Sequence, residues 1–432
     1  MSRSPVVIDS PDALETLPDQ VGTHGRPGPT VVLTDATPKF LAGDDRNLTD
    51  LVADLLPDAG FTVLGRADDQ LLADETIVAA AVAAGKGAGC LVSLGSGTVT
   101  DLGKLASHQT GASLVAVPTA ASVNGYSDHL AVVLREGAKR TVPAVAPSAL
   151  VVDHRVLAGA PVAMGRAGLG ECVGAIVAPA DWSLAAAIGA DPTYDADIVR
   201  RYHRPASALM ALAAGIDGRH PLALAALFRL LTAAGLAMGK AGKTAPLSGT
   251  EHAVSHLLDM AAGRDHGLHG AQVGVAAVVA ACLWEVALDS LDLDADFSIP
   301  DDRVLAKRLT SALSRLGTAT VDECWSEYRV KPDHWRNSPP DRRSLAAIVD
   351  DAGAWLGSVS EMNAVLAAAG APTRFSDLDP PVDPATARWA VLNAHLLRSR
   401  FTILDLVMFT GGDIEQVVDD ALAKASEAGG GL

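Results

Sequence analysis

The sequence predicts a chain in two parts: an α/β, Rossmann-like region with a parallel sheet over residues 1–158, and an all-α region over 159–432. Three observations carry this. Short β-branched runs alternate with Ala- and Leu-rich stretches as far as about residue 155, the pattern of a parallel sheet with crossover helices. Beyond about residue 160 the strand signals fade and long helical patterns take over. Between them, Gly and Pro punctuate residues 157–161.

Strands are expected at 30–34, 61–64, 90–94, 113–117 and 150–152, with a helix at 74–84 between the second and third. In the second part, helices are expected at 182–188, 222–238, 252–262, 273–287, 344–355 and 385–397. Segment 288–342 is polar and partly Asp/Pro-rich, which predicts a surface excursion; the glycine-rich tail 428–432 is expected to be disordered. Aromatics make up 4% of the chain and hydrophobics 49%, so the cores must rest on Ala, Val and Leu.

At 432 residues the chain is too long for one core and sufficient for two. A net charge of -17 argues against general affinity for nucleic acid or anionic membrane, and an anionic substrate would need local cations against this background. Cys90, Cys172, Cys282 and Cys324 form no CxxC pair, so neither a disulfide framework nor a cysteine zinc site is expected, and a reducing cytoplasm is the simplest compartment. The N-terminus has no signal-peptide run. Segment 273–282 is about half of the roughly 20 residues a membrane span needs, so no membrane insertion is expected.

The strand at 90–94 runs into Gly95-Ser96-Gly97-Thr98 and then a helix carrying Asp101 and Lys104. Glycines let a backbone approach a diphosphate, and the amides of a helix start favour an anion. Thr100 replaces the third glycine of the dinucleotide fingerprint, so the loop alone reads more readily as an ordinary strand-to-helix turn. The next strand ends in 118–127, a loop dense in small polar groups that includes Thr119, Ser122, Asn124 and Ser127. Adjacent parallel strands place such loops on one ligand-binding edge. Asp35, at the end of the first expected strand, is either a turn cap or an acceptor for an adenosine ribose.

Residues 249–256 place His252 and His256 four apart, on one face of a helix. His266 and His269 follow, and Glu171 lies upstream among glycines. Imidazoles with one carboxylate suit one divalent ion such as zinc, nickel or iron(II), with a coordination position left for substrate. The alternative is a chance cluster among twelve histidines.

Seven motifs fall in order over residues 30–415: 95–104, 118–127, 139–150, 167–174, 248–260, 268–278 and 398–411. Together they resemble the iron-containing alcohol dehydrogenase superfamily, which also holds glycerol dehydrogenases and 3-dehydroquinate synthases, and most closely its NAD(P)-dependent glycerol-1-phosphate dehydrogenase branch. The resemblance implies a dehydroquinate synthase-like architecture, NAD or NADP, and one divalent metal. Gly95, Ser96, Gly97 and Thr98 would hold the diphosphate, with Asp101 supporting the loop. Asp35, Thr119, Ser122, Ser127 and Lys139 would complete the cofactor site. Glu171, His252 and His269 would bind the metal, with His256, Asn124 and Lys139 on the substrate side. The first ligand is Glu171 where the branch carries Asp, Ala175 stands where it carries Lys, and Asn124 where it carries Asp, so the changes gather on the substrate side.

The activity implied is reduction or oxidation of a small phosphorylated polyol or ketone, such as dihydroxyacetone phosphate or a related phosphorylated or phosphonate carbonyl compound. Two others remain: a sugar phosphate cyclase that uses NAD transiently, and a non-catalytic nucleotide binder. Net turnover of NAD(P)H separates the first from the second. A homodimer is common in the family.

Overall fold

The protein was analysed as a computed structural model that describes residues 4–66, 70–263, 266–291 and 299–432. Among the described residues eight strands form: β1 (Val6–Ser10), β2 (Thr30–Asp35), β3 (Gly60–Leu64), β4 (Cys90–Gly95), β5 (Ser113–Pro118), β6 (Leu130–Arg135), β7 (Ala138–Pro143) and β8 (Ala149–Asp153). Six build one sheet in the order β1-β8-β5-β4-β2-β3, every pair parallel. β6 and β7 form a separate hairpin whose turn residues Glu136 and Gly137 both have positive φ, +50° and +78°.

Sheet residues alternate between two cores. Val32, Val92, Leu94, Val115 and Val117 pack with Leu17, Leu48 and Val52 on one face. Leu33, Leu91 and Leu114 pack with Ala81, Leu102 and Ala106 on the other. Both faces are therefore covered, and the central strands read as continuous apolar runs.

The chain packs as two compact units. One holds Met1–Arg135, Lys139–Leu169 and Leu212–Lys243; the other holds Glu136–Ala138, Gly170–Ala211 and Thr244–Leu432. In the first, the sheet is joined by helix Pro221–Ala241, which packs on helix His154–Gly159. In the second, helix His269–Ser290 is the central element, packed by Thr250–Ala262, Val359–Ala368, Ile403–Phe409 and Ile414–Glu427. Pro221–Ala241 and His269–Ser290 are long and apolar enough to cross a membrane, but 56% and 78% of their apolar windows are buried, as in core helices.

Four expectations change. β1, β6 and β7 were not expected: β1 is an edge strand with Val6 51% exposed, so its residues lack a clear in-out pattern, and β6 and β7 form a hairpin outside the six-stranded sheet. The expected helix at 182–188 is the end of a 26-residue helix, Val162–Ala187, in which the run of glycines around Glu171 had hidden the periodicity. The described residues of segment 288–342 are not a surface excursion; 292–298 lie outside the described residues. Helices Asp302–Leu313, Thr318–Tyr328 and Val330–Asn337 bury Leu305, Leu309, Leu313, Cys324, Tyr328 and Trp335. The apolar residues recur every four positions, which the surrounding charge had masked. The tail 428–432 is ordered: Gly431 N donates to Thr373 O at 2.9 Å, and Phe375 N donates to Gly431 O at 2.7 Å. Gly429 and Gly431 turn the chain back at φ +84° and +78°, which the same glycines that suggested disorder make possible.

Candidate active site

In the first unit, β4 ends at buried Gly95, and helix Gly97–Thr110 starts after Ser96. Ser96 makes no capping side-chain hydrogen bond, and no acidic residue sits in the first turn. Ser96, Gly97 and Thr98 are half-buried, whereas Val99 and Thr100 are buried. A long helix thus presents uncapped first-turn amides at an accessible loop, which fits a bound diphosphate.

The loop after β5 is braced from beneath. Thr119 N donates to Gly95 O at 3.1 Å, tying this loop to the glycine loop. Lys104, fully buried, donates to Gly125 O at 2.7 Å, Asp128 Oδ1 at 3.0 Å and Leu130 O, and lies 2.8 Å from Asp101 Oδ1. Burial opposes its charge, but Asp101 and Asp128 outweigh that and hold its pKa above the usual lysine value. Asp101 Oδ2 also accepts Val132 N at 3.0 Å. Asp101 therefore ties Lys104 and β6 together, while Lys104 faces the carbonyls of Gly125 and Leu130. Thr119 and Ser122 are almost buried, and Ser122 Oγ lies 3.4 Å from Tyr126 Oη. Ser127 donates to Thr232 O at 2.8 Å and is 2% exposed, which makes it a brace against helix Pro221–Ala241. Asn124 and Lys139 are half-buried. Asp35 is met by Lys39 Nζ at 2.6 Å.

In the second unit, three helices bring together the carboxylate and imidazoles. Glu171 lies on Val162–Ala187, His252 and His256 on Thr250–Ala262, and His269 opens His269–Ser290. Glycines let these helices approach closely. A Cβ at Gly170 would stand 2.0 Å from Gly270 O, and one at Gly174 would stand 2.6 Å from Val273 Cγ1. Glu171 Oε2 is 3.4 Å from His252 Nε2, and Oε1 is 3.6 Å from His269 Nε2. One ligand atom from each of the three residues lies within 4.8 Å of the others.

The tautomers follow from the far side of each ring. His252 Nδ1 donates to Glu251 Oε1 at 2.8 Å, an oxygen that also accepts Gly249 N at 2.8 Å. Ser255 Oγ donates to Gln272 Oε1 at 2.7 Å, so it must accept the proton of His269 Nδ1, also at 2.7 Å. Both neutral rings therefore aim Nε2 lone pairs at the Glu171 carboxylate. Three acceptors converging in a buried site fit a cation, held by imidazoles whose other nitrogens are anchored. Without an ion a proton takes its place: burial opposes the His252 imidazolium, but Glu171 and Glu251 outweigh burial and hold its pKa at about 9.

His256 stands beside the cluster. Its ring lies 18° from parallel to the His269 ring, with centroids 5.3 Å apart. Arg398 Nη2 donates to its Nδ1 at 2.7 Å. With Nδ1 accepting, the neutral ring carries its proton on Nε2. The expected Glu171, His252, His256 and His269 are thus together. Sequence reasoning missed Glu251, Ser255 and Gln272 behind the imidazoles, and Arg398. Glu251 is next to His252 in the chain and Gln272 lies one turn after His269, which is the signal that could have found them; Ser255 reaches His269 from the neighbouring helix, 14 residues away. Arg398 opens a recognised motif, but nothing local ties it to His256.

The model of the family described as iron-containing alcohol dehydrogenase matches residues 9–161. An NAD(P)+ glycerol-1-phosphate dehydrogenase of Bacillus licheniformis is 27% identical over 392 residues, covering 87% of this chain and 82% of the relative. One of Halobacterium salinarum is 33% identical over 317 residues, covering 70% and 86%. The crystal structure of glycerol dehydrogenase from Schizosaccharomyces pombe shares the fold with a TM-score of 0.59 at 15% identity, over 99% of this chain and 91% of that one. A parallel sheet with a glycine loop, a helical unit with a carboxylate-imidazole cluster, and a 33% identical relative matched over most of its length agree: the chain belongs to the iron-containing alcohol dehydrogenase family and is an enzyme of the oxidoreductase class.

Proposed function

We propose that this protein is a metal-dependent, NAD(P)-linked oxidoreductase acting on a small phosphorylated ketone or polyol, dihydroxyacetone phosphate or a close relative of it. The observation that carries this is the convergence of Glu171 with the Nε2 lone pairs of His252 and His269. When bound, the nicotinamide exchanges a hydride and the divalent ion supplies Lewis acidity. Glu171, His252 and His269 would hold the ion, and zinc, nickel or iron(II) fits this donor set. Glu251 and Ser255 orient the two imidazoles. Gly95, Ser96, Gly97 and Thr98 would hold the diphosphate, with Thr119, Ser122 and Lys139 nearer the nicotinamide. Residues 1–158 supply the nucleotide-binding side of the reaction and 159–432 the metal and substrate side.

His256 enters as a hydrogen-bond donor at Nε2, because Arg398 occupies Nδ1. Arg398 also answers a question of charge. Ala175 offers no cation one turn after Glu171, and Asn124 offers no carboxylate. A guanidinium one imidazole away from the cluster is the cation an anionic substrate needs, and its fork suits phosphate. A homodimer in the cytoplasm completes the reading.

The test is NADH or NADPH oxidation by metal-reconstituted protein over a panel of phosphorylated ketones and aldehydes. Steady loss of absorbance with one of them is the expected result. Release of phosphate with no net change in cofactor would show a cyclase, and silence with both readouts would leave a nucleotide binder.

A further inference from the structure

We propose that Arg400 is the positioning residue for Arg398: it receives no substrate itself but ties the irregular segment 397–402 to the residues that lead into the His256 helix, so that the Arg398 guanidinium is held on the substrate side. This rests on the reading of Arg398 as the cation for an anionic substrate. The two arginines sit two apart, between the turn Ala394–Leu396 and helix Ile403–Phe409, on backbone that is neither helix nor strand. Such backbone has no hydrogen-bond ladder of its own to fix a side chain, so contacts from elsewhere must do it.

The segment is framed at both ends. Lys331, buried, donates to His395 O at 2.6 Å and to Asp405 Oδ2 at 2.8 Å, which closes the base of the loop. Asp181 accepts Ile403 N at 3.0 Å through Oδ1 and Thr250 N at 2.7 Å through Oδ2. One carboxylate thus receives the first amide of the helix that carries His256 and the first amide of the helix that follows Arg398. Inside this frame Arg400 is the cross-tie. Its Nη1 donates to Ser248 O and, at 2.7 Å, to Ser248 Oγ, and its Nη2 donates to Thr244 Oγ1 at 2.8 Å. Both partners of the Arg398–His256 bond therefore ride on segments that Arg400 fastens together. The carboxylates of Glu251, Asp181 and Asp191 lie near enough to favour its charge against burial. The same carboxylates repel a phosphate, and both terminal nitrogens are already bonded, so Arg400 is the tie and Arg398 the receptor.

The experiment is calorimetric titration of zinc-reconstituted, full-length protein with inorganic phosphate, for wild type, Arg398→Met, Arg400→Met, Arg400→Lys, the double Met variant and Thr244→Val/Ser248→Ala. Arg398→Met is expected to weaken phosphate binding about ten- to a hundredfold and Arg400→Met about five- to fiftyfold, with the zinc retained in both. Arg400→Lys should recover part of the loss, because it keeps a donor toward Ser248. The double variant should bind within about threefold of Arg398→Met, because a tie has nothing to position once its guanidinium is gone. Thr244→Val/Ser248→Ala cuts the far end of the tie and spares the arginine; it should weaken binding about fivefold, and it decides the matter if Arg400→Met does not fold. Binding within about threefold of wild type in Arg400→Met and in the hydroxyl variant, or losses that add in the double variant, overturns the positioning role while leaving Arg398 as the phosphate cation. A wild type that binds no phosphate, or binding that Arg398→Met leaves unchanged, overturns that reading of Arg398 and this proposal with it.

Discussion

Arg398 holds His256 through a 2.7 Å hydrogen bond to Nδ1, on the one ring that stacks against His269. Replacing Arg398 with Met removes the cation and frees the ring. The expected outcome on a phosphorylated substrate is a KM raised by about ten- to a hundredfold, with kcat falling by less, since charged hydrogen bonds are lost mainly from binding. Arg398→Lys should recover part of the loss. Steady-state kinetics with phosphorylated and unphosphorylated forms of one substrate checks it, because only the former should respond.

His269→Ala should remove the ion along with activity. Elemental analysis of the purified protein should show metal falling to well under one ion per chain, with the far-ultraviolet circular dichroism retained. Ser255→Ala leaves the three ligands in place but loosens the His269 ring. Its metal affinity should weaken by about ten- to a hundredfold, measured by competition with a chelating dye.

Lys104→Met should be among the most damaging single changes. It leaves Asp101 and Asp128 facing each other beneath the loop without their cation. Loss of one partner from a buried charge set costs about 3–5 kcal/mol. Urea unfolding should show a correspondingly lower midpoint, and nucleotide titration should show weakened binding, because Gly125 and Leu130 lose their anchor.

Asp181 gives a pH dependence with a definite sign. Burial, reinforced by Glu251, pushes its pKa up to about 7, although Thr250 and Ile403 donate to it. An unfolded chain releases that proton near the ordinary value of 3.8. Between about pH 4 and 7 the folded state binds more protons, so this group's contribution to stability falls as pH rises through that window and is lost above it. The stability of wild type relative to Asp181→Asn should therefore drop by about 1 kcal/mol or more between pH 5 and pH 8, read from urea midpoints.

Asn124→Asp tests the altered substrate loop. Asn offers one acceptor and two donors where a carboxylate offers acceptors alone. The expected result is low catalytic efficiency of the wild type on dihydroxyacetone phosphate and a gain on restoring Asp. High wild-type efficiency that the substitution barely changes would show that the pocket was never repurposed.

The central strands were legible because β4, β5 and β8 are buried on both faces, so Cys90, Leu91 and Val92 or Leu150 and Val151 stand out as unbroken apolar runs. β1 was not, because an edge strand with exposed Val6 and Val7 carries no such contrast. The histidines were visible through the four-residue spacing of His252 and His256, and Glu171 through the ordered motifs. Arg398 and Lys39 were invisible as partners. Arg398 reaches His256 across 142 residues, and Lys39 reaches Asp35 through the shape of a turn that residue types alone do not specify.

The three helices that carry Glu171, His252 and His269 are held apart in sequence but share one point in space. In polymer terms an ion there is a reversible cross-link, closing the chain from Glu171 through to His269 much as a disulfide would, and removing disorder from the unfolded chain. A cell short of metal would then accumulate more than an inactive enzyme. It would hold a chain whose helical unit opens more often and is degraded sooner, so that abundance itself would track metal supply.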